Sequence, residues 1–305
     1  MDLSEYLRAR QADIEAALAR VLPCPPDCPA VVADAMRYSV TAGGKRLRPI
    51  LCLASADAVG GDRALAMPAA CAIELIHTYS LIHDDLPAMD DDTMRRGRPT
   101  LHVVAGEGMA ILAGDGLQAE AFHLLAREPR SSEPAILSRK LRTLEVIATA
   151  AGCTGMVGGQ ALDLAAVTPE GNGGPRQPLD AEALRTMHAK KTGALIRAAA
   201  AAGAIMGGGD EGAIDAIDRC AAELGLAFQI VDDILDVEGA SADLGKTAGK
   251  DAASGKPTYP SMYGLEGSRR LARECILRAE HHLRGAGLGD ARLLEIGRWI
   301  VERSH

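Results

Sequence analysis

Apolar positions along this 305-residue chain recur mostly three and four residues apart, and strict apolar–polar alternation is scarce. A spacing near 3.6 returns side chains to one face of a helix, so the pattern predicts a helical protein. Residues 1–23 (MDLSEYLRARQADIEAALARVLP) read as an amphipathic helix closed by Pro23. A helical run, PILCLASADAV, opens at Pro49, a residue tolerated in a first turn. Residues 69–82 (AACAIELIHTYSLI) are too apolar for a solvated face and predict a buried helix, with His77, Ser80 and Asp84 on one side. Residues 110–127 and 144–164 read as two more helices, the second with Gly152, Gly155, Gly158 and Gly159 forming a small-residue face suited to close approach. Residues 167–179 are the clearest loop, and Asp180 is placed to cap the next helix with Glu182 in its first turn. In that helix Lys191-Thr192-Gly193 is unusual, and the glycine is expected to loosen the helix and expose backbone carbonyls. A second apolar stretch, 224–231, follows a small-residue run, and the chain from 264 onward reads as one or two amphipathic helices.

Composition sharpens this to a fold class. The chain is 48% hydrophobic but only 3% aromatic, so a large core must be built from aliphatic residues and alanine. No Pro/Ser-rich linker or charge block divides the chain, which points to one all-α domain over residues 1–305. A formal net charge of −8 disfavours nucleic acid as a partner. The N-terminus is acidic and lacks the pattern of a signal peptide. The longest uncharged run, 146–162, holds glycines, threonines and a glutamine and is short for a membrane span. A cytoplasmic protein without membrane insertion is expected. Seven cysteines, mostly inside apolar stretches, read as reduced core residues; Cys24 and Cys28 form a pair with no second pair to complete a metal site.

The chemistry concentrates at two acidic helix ends. The first apolar helix runs into Asp84, Asp85, Asp90, Asp91 and Asp92, five carboxylates in nine positions. The second stretch runs into Asp232, Asp233 and Asp236, with Asp232 and Asp236 one turn apart. Carboxylates this dense need cations, and hard oxygen ligands suit Mg²⁺, which takes one or two carboxylates together with water and substrate phosphates. Two such ends are expected to face each other across a cavity holding several Mg²⁺ ions and a diphosphate. Basic loops accompany them. Gly43-Gly44-Lys45-Arg46-Leu47-Arg48 sets three cations beside a glycine pair that lets the backbone approach an anion. Arg95, Arg96 and Arg98 follow the first aspartates, and Lys246, Lys250 and Lys256 follow the second.

This order of motifs resembles the short-chain trans-isoprenyl diphosphate synthases, in GGKRLRP (43–49), HDDLPAMDDDTMRRGRPT (83–100), KKTGALI (190–196), FQIVDDILD (228–236) and GKTAGKD (245–251). The resemblance covers nearly the whole chain and is nearest to the bacterial farnesyl diphosphate synthases. It implies an all-α bundle around a deep central cavity, a homodimer, and Mg²⁺, three ions per site with diphosphate bound, with Mn²⁺ as a substitute. It implies head-to-tail condensation of isopentenyl diphosphate with dimethylallyl and then geranyl diphosphate. Asp84 and Asp90 match the metal ligands on one side and Asp232 on the other, supported by Asp85, Asp233 and Asp236. Lys45, Arg48, His77 and Arg96 match the isopentenyl diphosphate site, and Gly44 is a further substrate-binding position. Arg95, Lys191 and Lys246 match the allylic diphosphate clamp, Lys256 is a further substrate-binding position, and Thr192 and Gln229 lie along the developing cation. Tyr79, five positions before the first aspartate and beside Ser80, matches the residue that goes with a C15 product; C20 and C10 products are the alternatives. A terpene cyclase and an inactive partner subunit of the same fold are rival readings, disfavoured by two intact aspartate motifs.

Overall fold

The computed structural model describes residues 2–167, 180–242, 258–289 and 291–302. The described residues are overwhelmingly helical, as the 3.6-residue period requires; strand is confined there to the two-residue pieces β1 (Met94–Arg95) and β2 (Arg98–Pro99). They fall into two compact units.

The first unit comprises residues 1–147 and 202–209. It contains α1 (Leu3–Val21), α2 (Ala30–Val40), α3 (Leu47–Ala58), α4 (Arg63–Asp84), the β-hairpin, α5 (Leu101–Ala105), α6 (Glu107–Arg127) and most of α7 (Pro134–Ala151). Helix α4 is its centre, packed against α1, α2, α3 and α6. The side chains of Ala70, Ala72, Ile73, Leu75 and Ile76 are wholly buried. Each large aliphatic side chain so buried contributes roughly 1.5–3 kcal/mol relative to exposure. By length and apolarity α4 would suffice to cross a membrane, but 67% of its most apolar window is buried within the protein, the pattern of a core helix. Pro49 sits at the third position of α3, inside the first turn, where its missing N–H costs no helical bond.

The second unit comprises residues 148–201 and 210–305. It contains α8 (Met156–Val167), α9 (Ala181–His188), a π-helical turn (Ala189–Gly193), the start of α10 (Ala194–Gly207), α11 (Glu211–Ala242), α12 (Tyr259–Gly285) and α13 (Arg292–Glu302). Helix α11 packs lengthwise on α12, and α13 lies against both. Asp180 caps α9 through a bond from the Ala183 N–H, as the sequence predicts.

Two boundaries differ from expectation. The helix expected over 144–164 is split, because α7 stops at Ala151 and a turn closed by the Gly155 N–H on the Gly152 carbonyl precedes α8. A Cβ on Gly155 would stand 2.1 Å from the Ala150 carbonyl oxygen, so the turn has no room for a side chain there. The C-terminal amphipathic region starts earlier than 264: α12 begins at Tyr259 and bends at Gly264, whose φ of 68° is open to glycine.

Candidate active site

In the first unit α4 ends at Asp84, and the chain then folds back on itself. The Asp90 N–H donates to the Asp84 carbonyl (2.9 Å) and the Asp92 N–H to the Asp85 carbonyl (3.2 Å). Asp91, at φ 50°, supplies the left-handed residue this reversal needs. Five carboxylates are thereby gathered at one helix end, with Asp84 half-buried and Asp90 exposed. Asp85 is different: it is 4% exposed and accepts from Arg95 Nε (2.7 Å) and a terminal Arg95 nitrogen (2.6 Å). Burial pushes the Asp85 carboxyl upward, and Arg95 works against that shift.

Arg95 is delivered by the hairpin. Arg95 pairs with Arg98 in register, leaving Arg96-Gly97 as a two-residue turn with φ of 53° and 74°. Two positive φ values define the turn whose twist suits a hairpin, which explains the glycine. From the tip, the Arg96 guanidinium donates to the Gly43 carbonyl. Gly44 has φ +125°, and a Cβ there would come within 2.5 Å of the guanidinium, so the glycine leaves room for the arginine.

Arg46 was not among the expected site residues, and it organises the basic loop. It sits at φ 49° before α3, 4% exposed, with one nitrogen on Glu74 (2.7 Å) and another on the Val40 carbonyl (2.6 Å). Its anchoring leaves Lys45 exposed and Arg48 half-buried on either side. One turn past Glu74 lies His77, whose pKa is held well below the usual value by burial first, then by Arg48, Arg96, Arg95 and Arg46. His77 is therefore a neutral imidazole in the field of four guanidiniums. From Thr78 onward a small open cleft of about 40 Å³ is lined by Leu81, Asp85, Arg95, Arg96 and Thr100, among others. Tyr79 is 7% exposed, its ring edge-on to His83 at 5.7 Å, and its hydroxyl finds no hydrogen-bond partner among the described residues. The Ser80 hydroxyl turns back to the His77 carbonyl (2.8 Å).

In the second unit the loosened helix expected at Lys191-Thr192-Gly193 is a π-helical turn, a feature frequent at functional sites. Two glycines let other helices reach its backbone. A Cβ on Gly159 of α8 would stand 2.1 Å from the Lys191 nitrogen, and one on Gly225 of α11 would stand 3.2 Å from the Gly193 Cα. Lys191 donates to Asp163 at 2.6 Å, and Asp163 is 6% exposed. The Thr192 hydroxyl donates to Gln229 Oε1 (3.1 Å), and Gln229 Nε2 donates to Asp233 Oδ1 (2.9 Å). Asp233 Oδ2 accepts the Tyr259 N–H (2.9 Å), and Asp233 is 4% exposed. Asp232 and Asp236 are half-buried on the same helix. Lys246, Lys250 and Lys256 lie outside the described residues.

Asp85 and Asp233, expected as supports of a metal cluster, are thus buried and bonded within their own units. Asp163 and Glu74 escaped the sequence reading. The signal available was a lone carboxylate inside an apolar helical run, which has to meet a cation or donors when buried. Among the described residues no three His, Cys, Asp or Glu side chains converge to hold a metal by themselves. Mg²⁺ is bound through one or two carboxylates plus substrate phosphates, not by an all-protein cage. The accessible Asp84, Asp90, Asp232 and Asp236 are hard oxygen donors of the right kind.

A family model described as polyprenyl synthetase matches residues 29–284. Over the full chain the protein is 45% identical to the farnesyl diphosphate synthase of Geobacillus stearothermophilus, covering 99% of that protein. It is 47% identical over 287 residues to geranylgeranyl pyrophosphate synthase 9 of Arabidopsis thaliana, covering 93% of this chain and 76% of the relative. Among solved structures, an FPP/GFPP synthase from Zymomonas mobilis superposes with a TM-score of 0.83 at 38% identity, covering 98% of each chain.

Proposed function

Because this chain belongs to the polyprenyl synthetase family of trans-prenyltransferases, we propose that it makes farnesyl diphosphate. Isopentenyl diphosphate is condensed head to tail with dimethylallyl and then geranyl diphosphate, with residues 1–305 acting as one catalytic domain. The observation that carries this reading is the hairpin that sets Arg95 on Asp85 at the acidic end of α4 and Arg96 on the Gly43 carbonyl of the basic loop, near His77, whose pKa is held well below the usual value by burial and by these arginines. A neutral imidazole can donate to an oxygen or accept from a donor without adding to the local charge, while the guanidiniums bind diphosphate oxygens in pairs.

Breaking the allylic C–O bond puts negative charge on the leaving diphosphate and positive charge on carbon. Bound Mg²⁺ supplies Lewis-acid neutralisation of that diphosphate. Asp84, Asp90, Asp232 and Asp236 are the carboxylates proposed to hold it, with Mn²⁺ as a substitute ion. Lys45, Arg48, His77 and Arg96, with the Gly44 backbone, take isopentenyl diphosphate. Arg95 and Lys191, with Lys246 and Lys256, take the allylic diphosphate. Thr192 and Gln229 present neutral oxygens toward the allylic carbon, where dipoles stabilise positive charge without trapping it. No side chain acts as nucleophile, since the double bond of isopentenyl diphosphate provides the electron pair. Released diphosphate accepts the proton lost from the carbocation that this attack leaves, and that loss restores a double bond in the new allylic product. We propose a homodimer in the cytoplasm.

Product length rests on Tyr79. Its buried ring fills space on α4 five residues before Asp84, and a short product follows if this ring closes the tail pocket. A C20 product is the second reading, since relatives as similar as 47% are named for geranylgeranyl pyrophosphate. The test is incubation with labelled isopentenyl diphosphate, geranyl diphosphate and Mg²⁺, with chromatography of the dephosphorylated products. A C15 alcohol is expected from the native chain, and C20 or longer from Tyr79→Ala. A C15 profile from both would place the floor of the pocket on another helix, and no extension at all would defeat the synthase reading.

A further inference from the structure

We infer that Asp233 is a positioning residue: it fixes the side-chain amide of Gln229 so that oxygen, not nitrogen, faces Thr192, and it is not a metal ligand. The inference rests on the prenyl-transfer reading for its consequence, but its geometry stands alone.

An ionised carboxylate only accepts hydrogen bonds. The two ends of a glutamine amide are told apart by their partners. Asp233 Oδ1 lies 2.9 Å from the amide of Gln229, one helical turn earlier, so it must meet the NH₂ group. The oxygen is then turned toward the Thr192 hydroxyl, 3.1 Å away. Asp233 itself is held by its second oxygen on the Tyr259 N–H, the first residue of α12. That donor is one of the helix-initial N–H groups without an intrahelical acceptor, so the carboxylate is satisfied and stabilised there. At 4% exposure, with a donor on each oxygen, Asp233 lacks the access to solvent and to ligand that half-buried Asp232 has. Successive helical residues point about 100° apart, which is how adjacent aspartates take separate duties.

The consequence is the sign of a dipole. With oxygen toward Thr192, the amide offers its negative end where positive charge develops. A rotated amide would offer an NH₂ group and oppose ionisation. The substitution Asp233→Asn permits that rotation, because the introduced NH₂ can donate to Gln229 Oε1. Adding Gln229→Glu then restores the arrangement, since a carboxylate has no donor end: one oxygen accepts from the introduced asparagine amide and the other faces Thr192.

The experiment uses the full chain. Calorimetric titration with Mg²⁺ and inorganic diphosphate is expected to give Asp233→Asn an affinity within about twofold of the native protein and Asp232→Asn a loss of about tenfold or more. This measurement needs no turnover, so it separates failure of this inference from failure of the functional reading. In steady state, kcat for geranyl diphosphate should fall about tenfold in Asp233→Asn, the size of one lost charge-assisted bond, with KM values little changed. Asp233→Asn/Gln229→Glu should recover at least half of the lost rate. If Asp233→Asn alone does not fold, Gln229→Glu is compared with the double variant, which is expected to be the more active. Metal–diphosphate affinity lost in Asp233→Asn as in Asp232→Asn overturns the inference, as does a double variant no better than the single.

Discussion

The two acidic helix ends look alike in sequence, and their second aspartates are equally buried at 4% exposure, yet they are satisfied by opposite means. In the first unit Asp85 meets a guanidinium, Arg95, from a hairpin that also carries Arg96. In the second unit Asp233 meets two neutral donors, an amide and a backbone N–H. The first unit is organised by charge, with Arg46 on Glu74 beneath three more arginines. Around Thr192 and Gln229 the second is organised by neutral dipoles, and the half-buried cation there, Lys191, is paired with Asp163. The difference teaches that an aspartate pair is not one device: the same two letters anchor a cationic loop in one place and orient an amide in another.

The largest effect is expected where charge is most deeply buried. Arg46 and Glu74 have side chains 2% and 3% exposed. Replacing either alone, as Arg46→Met or Glu74→Gln, should cost about 3–5 kcal/mol in urea unfolding, because the partner is left uncompensated. Arg46→Met/Glu74→Met should be far milder than the sum. A sum of the two single losses would show that the pair is not coupled, and the view of the first unit as charge-organised would fail.

Next come the accessible first aspartates, where the two ends should behave alike. Asp84→Ala and Asp232→Ala are each expected to lose about 100- to 1,000-fold in kcat, as when one electrostatic stabiliser is removed. Near-native turnover by either variant at saturating substrate and Mg²⁺ would restrict metal binding to the other unit.

A smaller effect should separate the second aspartates. Asp85→Asn weakens two bonds to a guanidinium and should lower stability by about 1.5–3 kcal/mol, the range for a hydrogen bond to a charged group. The loss should grow smaller in Arg95→Met/Asp85→Asn, measured by the same unfolding titration. An Asp85→Asn variant as stable as the native chain would remove the contrast with Asp233.

The smallest is a pH slope. His77 has a folded pKa below its unfolded value, so the unfolded chain binds the extra proton as pH falls. Its contribution is intact above the unfolded value near 6.5 and erodes below it, by at most about 1.4 kcal/mol per pH unit. Asp85, shifted upward, runs the other way, but it is common to both proteins compared. Unfolding titrations at pH 7 and pH 5.5 should therefore show a shallower fall for His77→Gln than for the native chain. Equal slopes would mean His77 is not held neutral in the folded chain by burial and the arginines.

Much of this was legible from the chain alone. Burial with a 3.6-residue period is a local property, so the helices, the core run at 69–82, the Asp180 cap and the all-α class follow from neighbouring residues. The acidic ends, the basic glycine loop and the family are legible for the same reason, since each motif is a short contiguous string. Even the weak point at Lys191-Thr192-Gly193 could be anticipated, although its resolution as a π-helical turn gripped beside Gly159 and Gly225 could not. What only the tertiary structure decided is which polar group meets which. Arg46 finds Glu74 and Lys191 finds Asp163 across 28 residues, and Asp233 finds the Tyr259 N–H across 26. No periodicity encodes such pairings. They are set by which helices pack and at what register, and a buried carboxylate takes whichever donor that packing brings to it.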